Sequence, residues 1–300
     1  MAISSVTATI NGQQVTLEYN TSTGKYEATI TAPVKSSYPL TGHYYPVSIT
    51  ANDDAGNSRT VDATDATLGE SLRLVVKEKV KPTITILAPT AGQTLITSTP
   101  KITAQLRDDD SGIDINTLVV KIDTQTVTAT STAVTGGYDI EYTPTDALTD
   151  GPHTVTIAVS DHDGNAATAA SAAFVVDTTP PSLSITSPVD GLKTNKSALI
   201  VSGTTNDATS NPVTITIKVN GTDAGAVTVE ENGAFSKSVT LSDGENTIVI
   251  TATDKAGKVS TVTRTVTLRT KAPLIQSATL IPNPVDAGKT YVISVEVVEQ

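Results

Sequence analysis

The chain has no cysteine and no tryptophan, and only two of its 300 residues are phenylalanine. Without cysteine, no disulfide can clamp the fold, so the folded state depends on side-chain packing and backbone hydrogen bonds, and the redox compartment is left open. Without tryptophan, an aromatic platform for stacking sugar rings is disfavoured. The fold class must therefore be read from the pattern of the remaining residues.

Long apolar runs and clustered positive charges are also missing. No stretch reaches the length of a membrane span, and residues 1–10 have neither the basic nor the long apolar segment of a secretion signal. The net charge of −11 disfavours polyanionic partners, because phosphate backbones favour clustered lysine and arginine. We therefore expect no nucleic-acid partner and no membrane insertion.

Catalytic signatures are lacking as well. None of the three histidines, His43, His153 and His162, has the neighbours that a nucleophile and its base would require, and no Gly-x-Ser-x-Gly motif occurs. Pairs of acids can always be found among 31 carboxylates, so their presence indicates no glycosidase. We expect the chain not to be an enzyme.

The most informative feature that is present is a phrase that occurs three times, at residues 47–57, 155–165 and 248–258. Each copy is an alternating apolar strand followed by an Asp-x-x-Gly turn. The glycines of the three turns lie 108 and 93 residues apart, which is typical of antiparallel β-sandwiches of about 100 residues. The sequence predicts an all-β chain of tandem sandwiches with almost no helix.

Proline-rich segments separate these sandwiches. Residues 81–89 and 180–188 have similar sequences, and proline at a junction ends the preceding strand and stiffens the linker. The predicted domains are residues 1–80, 81–177 and 178–270, followed by a two-strand segment at 271–300. We refer to the first three as the first, second and third repeats.

The turn Asp-x-Ala-Gly-Asn, the proline-rich openings and the acidic run at 108–114 resemble bacterial immunoglobulin-like repeat domains over roughly residues 82–270. Residues 22–33 and 282–296 resemble Ig-like proteins encoded with phage and prophage tail genes. The resemblance implies tandem immunoglobulin-like β-sandwiches in a rod, with a structural or adhesive role and no chemistry of their own.

Two functions follow from this resemblance. The first is a structural or decorating component of a phage-type tail or related particle, located in the virion or an extracellular particle. The alternative is an adhesin or a glycan- or receptor-binding module at the bacterial cell surface. The partners would be copies of the chain or a neighbouring tail protein, with host-surface glycan as a further candidate.

The first repeat and the C-terminal segment have complementary patterns. The first repeat reaches its Asn11-Gly12 hairpin without the two opening strands of the later repeats, and residues 273–298 form two such strands with nothing after them. We expect these strands to complete the first repeat of another copy, or to dock on another tail protein. The contact residues would be Leu274, Ile275, Leu280, Tyr291, Ile293, Val295 and Val297. In the alternative, residues 33–46 close the first repeat and the C-terminal strands fold back or fray.

Acidic residues cluster in loops that an Ig-like topology brings to one end of a domain. At the first junction they are Glu78, Asp108, Asp109, Asp110, Asp161 and Asp163, which form a candidate Ca²⁺ site and give the only cofactor that the sequence suggests. The third repeat has a smaller set, Asp177, Asp207 and Asp254. In the alternative, these aspartates simply accept hydrogen bonds from backbone N–H groups in turns.

Tyrosines are concentrated in the first repeat. Tyr38, Tyr44 and Tyr45 lie in the segment that distinguishes this repeat from the others. Tyrosine offers rigid amphipathic contact area, so we expect these three residues to form a docking surface. In the alternative, they cover the core that the missing strands leave exposed.

Overall fold

A computed structural model describes residues 2–299 of the chain. In this part of the chain, strands make up nearly all of the regular structure, and the helical segments are two short 3₁₀ turns, Thr41–His43 and Gly69–Leu72. The prediction of an all-β fold of tandem sandwiches is confirmed. The chain forms two compact units. The first contains the described residues through Gln93 and Thr99–Val175, and the second contains Thr94–Ser98 and the residues from Val176 onward.

The first repeat forms a single sheet. Its strands are β1 (Ile3–Ile10), β2 (Gln13–Asn20), β3 (Lys25–Glu27), β4 (Tyr45–Asp53), β5 (Ser58–Val61) and β6 (Arg73–Leu74). The sheet order is β3-β2-β1-β4-β5, and β6 also pairs with β4. Val6 and Ala8 share one face of β1, because side chains two residues apart in a strand point the same way. Both are buried.

The second repeat has two sheets. Its strands are β7 (Thr83–Ala88), β8 (Thr94–Leu95), β9 (Ile102–Arg107), β10 (Ile113–Ile122), β11 (Gln125–Val127), β12 (Thr130–Val134), β13 (Gly137–Tyr142), β14 (Gly151–Asp161) and β15 (Ala170–Val176). One sheet has the order β12-β13-β9-β7, and the other contains β11-β10-β14-β15. Leu106, Ile140, Ile157 and Phe174 are among its fully buried side chains.

The third repeat also has two sheets. Its strands are β16 (Ser182–Ser187), β17 (Leu192–Thr194), β18 (Ala198–Asn206), β19 (Thr214–Val219), β20 (Thr222–Asp223), β21 (Ala234–Thr240), β22 (Gly244–Thr253) and β23 (Val259–Leu268). The sheet orders are β16-β18-β21 and β17-β23-β22-β19-β20. Both sheets contribute to one buried core, which includes Val201 and Phe235 from the first sheet and Ile217 and Ile250 from the second.

Two tight hairpins follow directly from local sequence. Asn11 and Gly12 connect β1 to β2, and Asn220 and Gly221 connect β19 to β20. All four residues have positive φ, between 49° and 82°, as two-residue hairpin turns of this type require. Asparagine and glycine adopt that conformation at low cost, so these turns set the register of the strands on either side.

The C-terminal segment is a two-stranded hairpin of β24 (Leu274–Ile281) and β25 (Val292–Val298). In the described part of the chain these two strands pair only with each other. All side chains of β24 are exposed. The hairpin therefore presents apolar side chains on both of its faces.

Candidate functional site

A first carboxylate cluster lies inside the first unit, where the first repeat leads into the second. Asp161 ends β14, Asp108 follows β9, and Glu78 lies in the segment that follows β6. Each contributes a carboxylate oxygen, and these oxygens all lie within 4.8 Å of one another. All three residues are buried: Glu78 is 6% exposed, Asp108 is 8% exposed and Asp161 is 2% exposed. Their charges are therefore poorly hydrated.

The protein's own donors fill much of this cluster. The Asn165 side-chain amide donates to Glu78 Oε1 at 2.9 Å and to Asp161 Oδ2 at 2.7 Å. Asp108 Oδ1 accepts from the Gly112 backbone N–H at 2.7 Å. Burial, and then the hydrogen bond and charge of Asp161, raise the pKa of Glu78. Protonation of Glu78 would lower the charge of the cluster.

The other three predicted ligands point elsewhere. Asp110 Oδ1 accepts from the Ser36 backbone N–H at 2.9 Å, and its Oδ2 lies 3.8 Å from Lys35 Nζ. Asp163 Oδ2 accepts from the Glu78 backbone N–H at 2.9 Å. Asp109 is exposed. The structure therefore gathers only half of the predicted ligand set, because adjacent side chains in a tight turn diverge.

A second carboxylate cluster lies inside the second unit. Asp207 and Asp254 follow β18 and β22, and Asp177 follows β15. Each contributes a carboxylate oxygen, and these oxygens also lie within 4.8 Å of one another. Asp177 is 0% exposed, Asp207 is 5% exposed and Asp254 is 6% exposed. The positions correspond to those of the first cluster, because Asp177 and Asp207 lie 99 residues after Glu78 and Asp108, and Asp254 lies 93 after Asp161.

The three predicted docking tyrosines have different environments. The Tyr38 ring stacks between His43 and His162, with ring centroids 4.2 Å and 3.9 Å away. Tyr44 lies under the Arg73 guanidinium, 5.2 Å from its ring. Tyr45 is 7% exposed, so its assignment to a docking surface is wrong. Its ring covers the core of the first repeat.

The contacts of two residues at these sites were not predicted from the sequence. His162 stacks on Tyr38, and Asn165 links Glu78 to Asp161. The sequence did contain a sign that Asn165 has a particular role. In the repeated phrase, the position of Asn165 is occupied by Lys258 in the third copy. A change of residue type at an equivalent position of a repeat indicates a change of local role.

The histidines are engaged in structural contacts. His153 is buried, its Nδ1 lies 2.9 Å from Asp123 Oδ2, and its Nε2 lies 2.8 Å from the Thr149 carbonyl oxygen. His43 Nδ1 contacts the Tyr38 carbonyl oxygen. Because both nitrogens of His153 are occupied by acceptors, that ring has no nitrogen left for a substrate.

The predicted assembly residues are all exposed. Leu274, Ile275, Leu280, Tyr291, Ile293, Val295 and Val297 have exposures between 46% and 64%. β24 and β25 pair in antiparallel register, with Leu280 opposite Ile293. No helix among the described residues is both long enough and apolar enough to cross a membrane.

Two family models match parts of the chain. Residues 90–178 match the bacterial Ig-like domain, and residues 181–270 match glucodextranase, domain B. Among curated proteins, Bacillopeptidase F of Bacillus subtilis (strain 168) is 33% identical over 135 residues, which are 45% of this chain and 9% of that protein. The chain thus spans a small part of the length of this relative. The matches support a tandem Ig-like protein, and the association with phage tails stays a prediction.

Similar solved structures include fibronectin(III)-like modules of Clostridium thermocellum CbhA, with 15% identity, a TM-score of 0.38, and coverage of 62% of this chain and 94% of that chain. Sidekick-1 immunoglobulin domains 1–5 have 11% identity and a TM-score of 0.40, and cover 98% of this chain and 60% of that one. At such identities these likenesses concern the fold alone.

Proposed function

We propose that this chain is a non-catalytic structural module of an extracellular bacterial protein or particle, in which tandem Ig-like domains hold attached parts at a fixed spacing. The observation that carries the proposal is the joint between the first and second repeats inside the first unit. There the Tyr38 ring stacks on His162 with an angle of only 8° between the planes. Flat aromatic packing of this kind restricts bending.

Hydrogen bonds reinforce the same joint at separate points. The Ser36 N–H donates to Asp110, and the Glu78 N–H donates to Asp163. The Asn165 amide also donates to the Glu78 backbone oxygen at 3.2 Å. A bend would have to break these contacts together, because they connect different loops of the second repeat to different segments of the first. A joint of this kind suits a spacer better than a flexible linker.

A non-catalytic role agrees with the families that match. Ig-like domains are generally non-catalytic. Glucodextranase and Bacillopeptidase F carry the names of enzymes, but one match is to a single domain of the former and the other spans 9% of the latter. Neither match carries an activity to this chain.

The finer context follows the sequence resemblance. We place the module in a phage-type tail or related particle, and a cell-surface adhesin is the second candidate. Detection of the chain in purified tail particles supports the first. Binding of the purified chain on a glycan array, with no such particle, supports the adhesin.

We also propose that the C-terminal hairpin docks on a second copy of the chain. Both faces of the hairpin expose apolar side chains. A contiguous apolar patch in contact with water is unfavourable. The first repeat has a single sheet whose edge strands are β3 and β5. An antiparallel pair added to such a sheet would cover apolar surface on both partners.

Spin labels on the two repeats of the first unit test the spacer. The chain lacks cysteine, so the exposed positions Thr16 and Thr132 can be changed to cysteine and labelled without background. We expect a narrow distribution of distances in pulsed electron resonance, and a clearly broader one after Tyr38→Ala. Tyr19→Ala removes an exposed tyrosine of the same repeat and should leave the distribution unchanged. A broad distribution in the parent chain would refute a stiff joint.

A further inference from the structure

The second carboxylate cluster has unpartnered oxygens. Asp177 Oδ2 and Asp254 Oδ2 are buried and have no hydrogen-bond partner among the described residues. No lysine or arginine of the described chain forms an ion pair with either residue or with Asp207. A buried carboxylate oxygen with no donor and no counter-charge is strongly unfavourable. Burial removes its hydrogen bonds to water, and no hydrogen bond or ion pair within the protein replaces them. Two such oxygens in one cluster favour the binding of a positively charged ligand between them.

The other carboxylate oxygens hold the cluster in place. Asp254 Oδ1 accepts from the Lys258 backbone N–H at 2.8 Å, and Asp207 Oδ1 accepts from Thr209 and Ser210 N–H at 2.8 Å and 2.6 Å. Asp177 Oδ1 accepts from the Thr179 N–H at 3.3 Å. In each residue one oxygen is therefore used by the backbone. Preorganised carboxylates of this kind are suited to binding an ion without a rearrangement of the loops.

The first cluster explains why the second is incomplete. There the Asn165 side chain donates to both Glu78 and Asp161 and so occupies the space between them. The equivalent residue of the third repeat is Lys258, four residues after Asp254 as Asn165 is four after Asp161. The described contacts of Lys258 with Asp254 are made by its backbone. The amide that fills the first cluster is thus missing from the second.

We infer that Asp177, Asp207 and Asp254 bind one Ca²⁺ ion. Hard oxygen ligands at about 2.3–2.6 Å suit Ca²⁺, so oxygens that bind one such ion lie no more than about 5 Å apart, and the three carboxylates meet that condition. Mg²⁺ loses its water reluctantly and is usually bound through one or two carboxylates, so a buried set of three suits Ca²⁺ better. The buried Ser210 hydroxyl, also without a partner, offers a further oxygen beside the cluster. This inference is independent of the spacer, whose joint lies in the first unit.

Calcium titration of the full chain tests the site. We expect calorimetry of EDTA-stripped protein with CaCl₂, up to about 10 mM, to show one binding event, since extracellular modules bind in the range of about 10⁻⁴–10⁻³ M. Asp254→Asn should weaken binding by at least about tenfold, because it removes one of three charges from the site. Asp161→Asn, the equivalent change in the first cluster, should leave binding unchanged. At a concentration 100 times its dissociation constant, Ca²⁺ should raise the melting temperature of the second unit by about 10 °C.

Three results would overturn the inference. They are no binding by the parent chain, unchanged binding by Asp254→Asn, and loss of binding by Asp161→Asn alone. If Asp254→Asn does not fold, crystals of the parent chain soaked in terbium chloride give a second measurement. An anomalous peak between the three carboxylates is the expected result, and its absence from an accessible, terbium-soaked crystal contradicts the site.

Discussion

Single aspartates in the repeated phrase fasten the turn that follows each strand. In all three copies a carboxylate oxygen accepts from the backbone N–H four residues later, from Asn57 to Asp53 at 2.8 Å, from Asn165 to Asp161 at 2.7 Å, and from Lys258 to Asp254 at 2.8 Å. The side-chain and backbone hydrogen bonds from Asn57 lower the pKa of Asp53, because they favour its charged form. Turn formation alone therefore accounts for one oxygen of each aspartate.

His153 makes the stability of the second repeat depend on pH. Burial opposes protonation, but the Thr149 carbonyl and the Asp123 carboxylate outweigh it and raise the pKa of His153 above its ordinary value of 6.5. The charged form is favoured in the folded state. Its stabilising effect is therefore complete below pH 6.5 and is lost as the pH rises through the folded-state pKa.

We expect Asp123→Asn to destabilise the chain by about 1 kcal/mol at pH 6. The effect is modest because the carboxylate is half exposed and its attraction to His153 is screened. The loss of stability should be smaller at pH 8.5, because fewer His153 rings are charged there. Urea unfolding followed by circular dichroism between these pH values measures the difference. Asp146→Asn, at an exposed residue of the same repeat, serves as the control. An equal loss of stability at both pH values would contradict the proposed role of the charge.

At the scale of the element, strand alternation decides which residues form the core. In β18 the buried and more exposed positions alternate, so the neighbours Ile200 and Val201 point to opposite faces and are 51% and 0% exposed. Val201 packs in the core with Phe235 and Ile250. Neighbouring residues of similar chemistry therefore contribute very differently to stability.

Val201→Ala should destabilise the third repeat by about 2–3 kcal/mol, because it removes buried methyl groups and leaves a cavity. Ile200→Ala removes more carbon atoms but from an exposed position, and should cost less than about 1 kcal/mol. Chemical denaturation of the two variants gives the comparison. A larger loss for Ile200→Ala would mean that the register of β18 is shifted by one residue.

Among the described residues, the C-terminal hairpin forms a sheet of its own, apart from the sheets of the three repeats. β24 and β25 pair with each other, and their apolar side chains are exposed on both faces. An isolated two-stranded hairpin is marginally stable in water. A partner that covers these faces would therefore stabilise the hairpin, and the contact would also cover apolar surface of the partner.

Removal of residues 272–300 should abolish self-association of the chain. We expect light scattering of the full chain to give a mass that rises above 30.9 kDa with concentration, and the shortened chain to stay monomeric. Ile293→Lys with Val295→Lys keeps the hairpin but places charge on it, and should act like the deletion. Equal masses of all three proteins at every concentration would rule out docking between copies.

Local sequence determined the strands and their turns. Alternation predicts β1, β14 and β22, and the Asn-Gly and Asp-x-x-Gly pairs predict the turns beside them, because both depend on residues only a few positions apart. The strand pattern, together with a repeat spacing near 100 residues, was enough for the fold class.

Which distant side chains meet depends on the packing of the folded chain and could not be read from local patterns. This packing leaves the carboxylates of Asp109, Asp110 and Asp163 outside the cluster that contains Glu78, buries Tyr45, and stacks His162 on Tyr38. These outcomes depend on how loops tens of residues apart approach one another, and a change of one residue in a turn redirects a side chain. The difference between Asn165 and Lys258 is visible in the sequence, but its effect on the two carboxylate clusters is set by the packing around them.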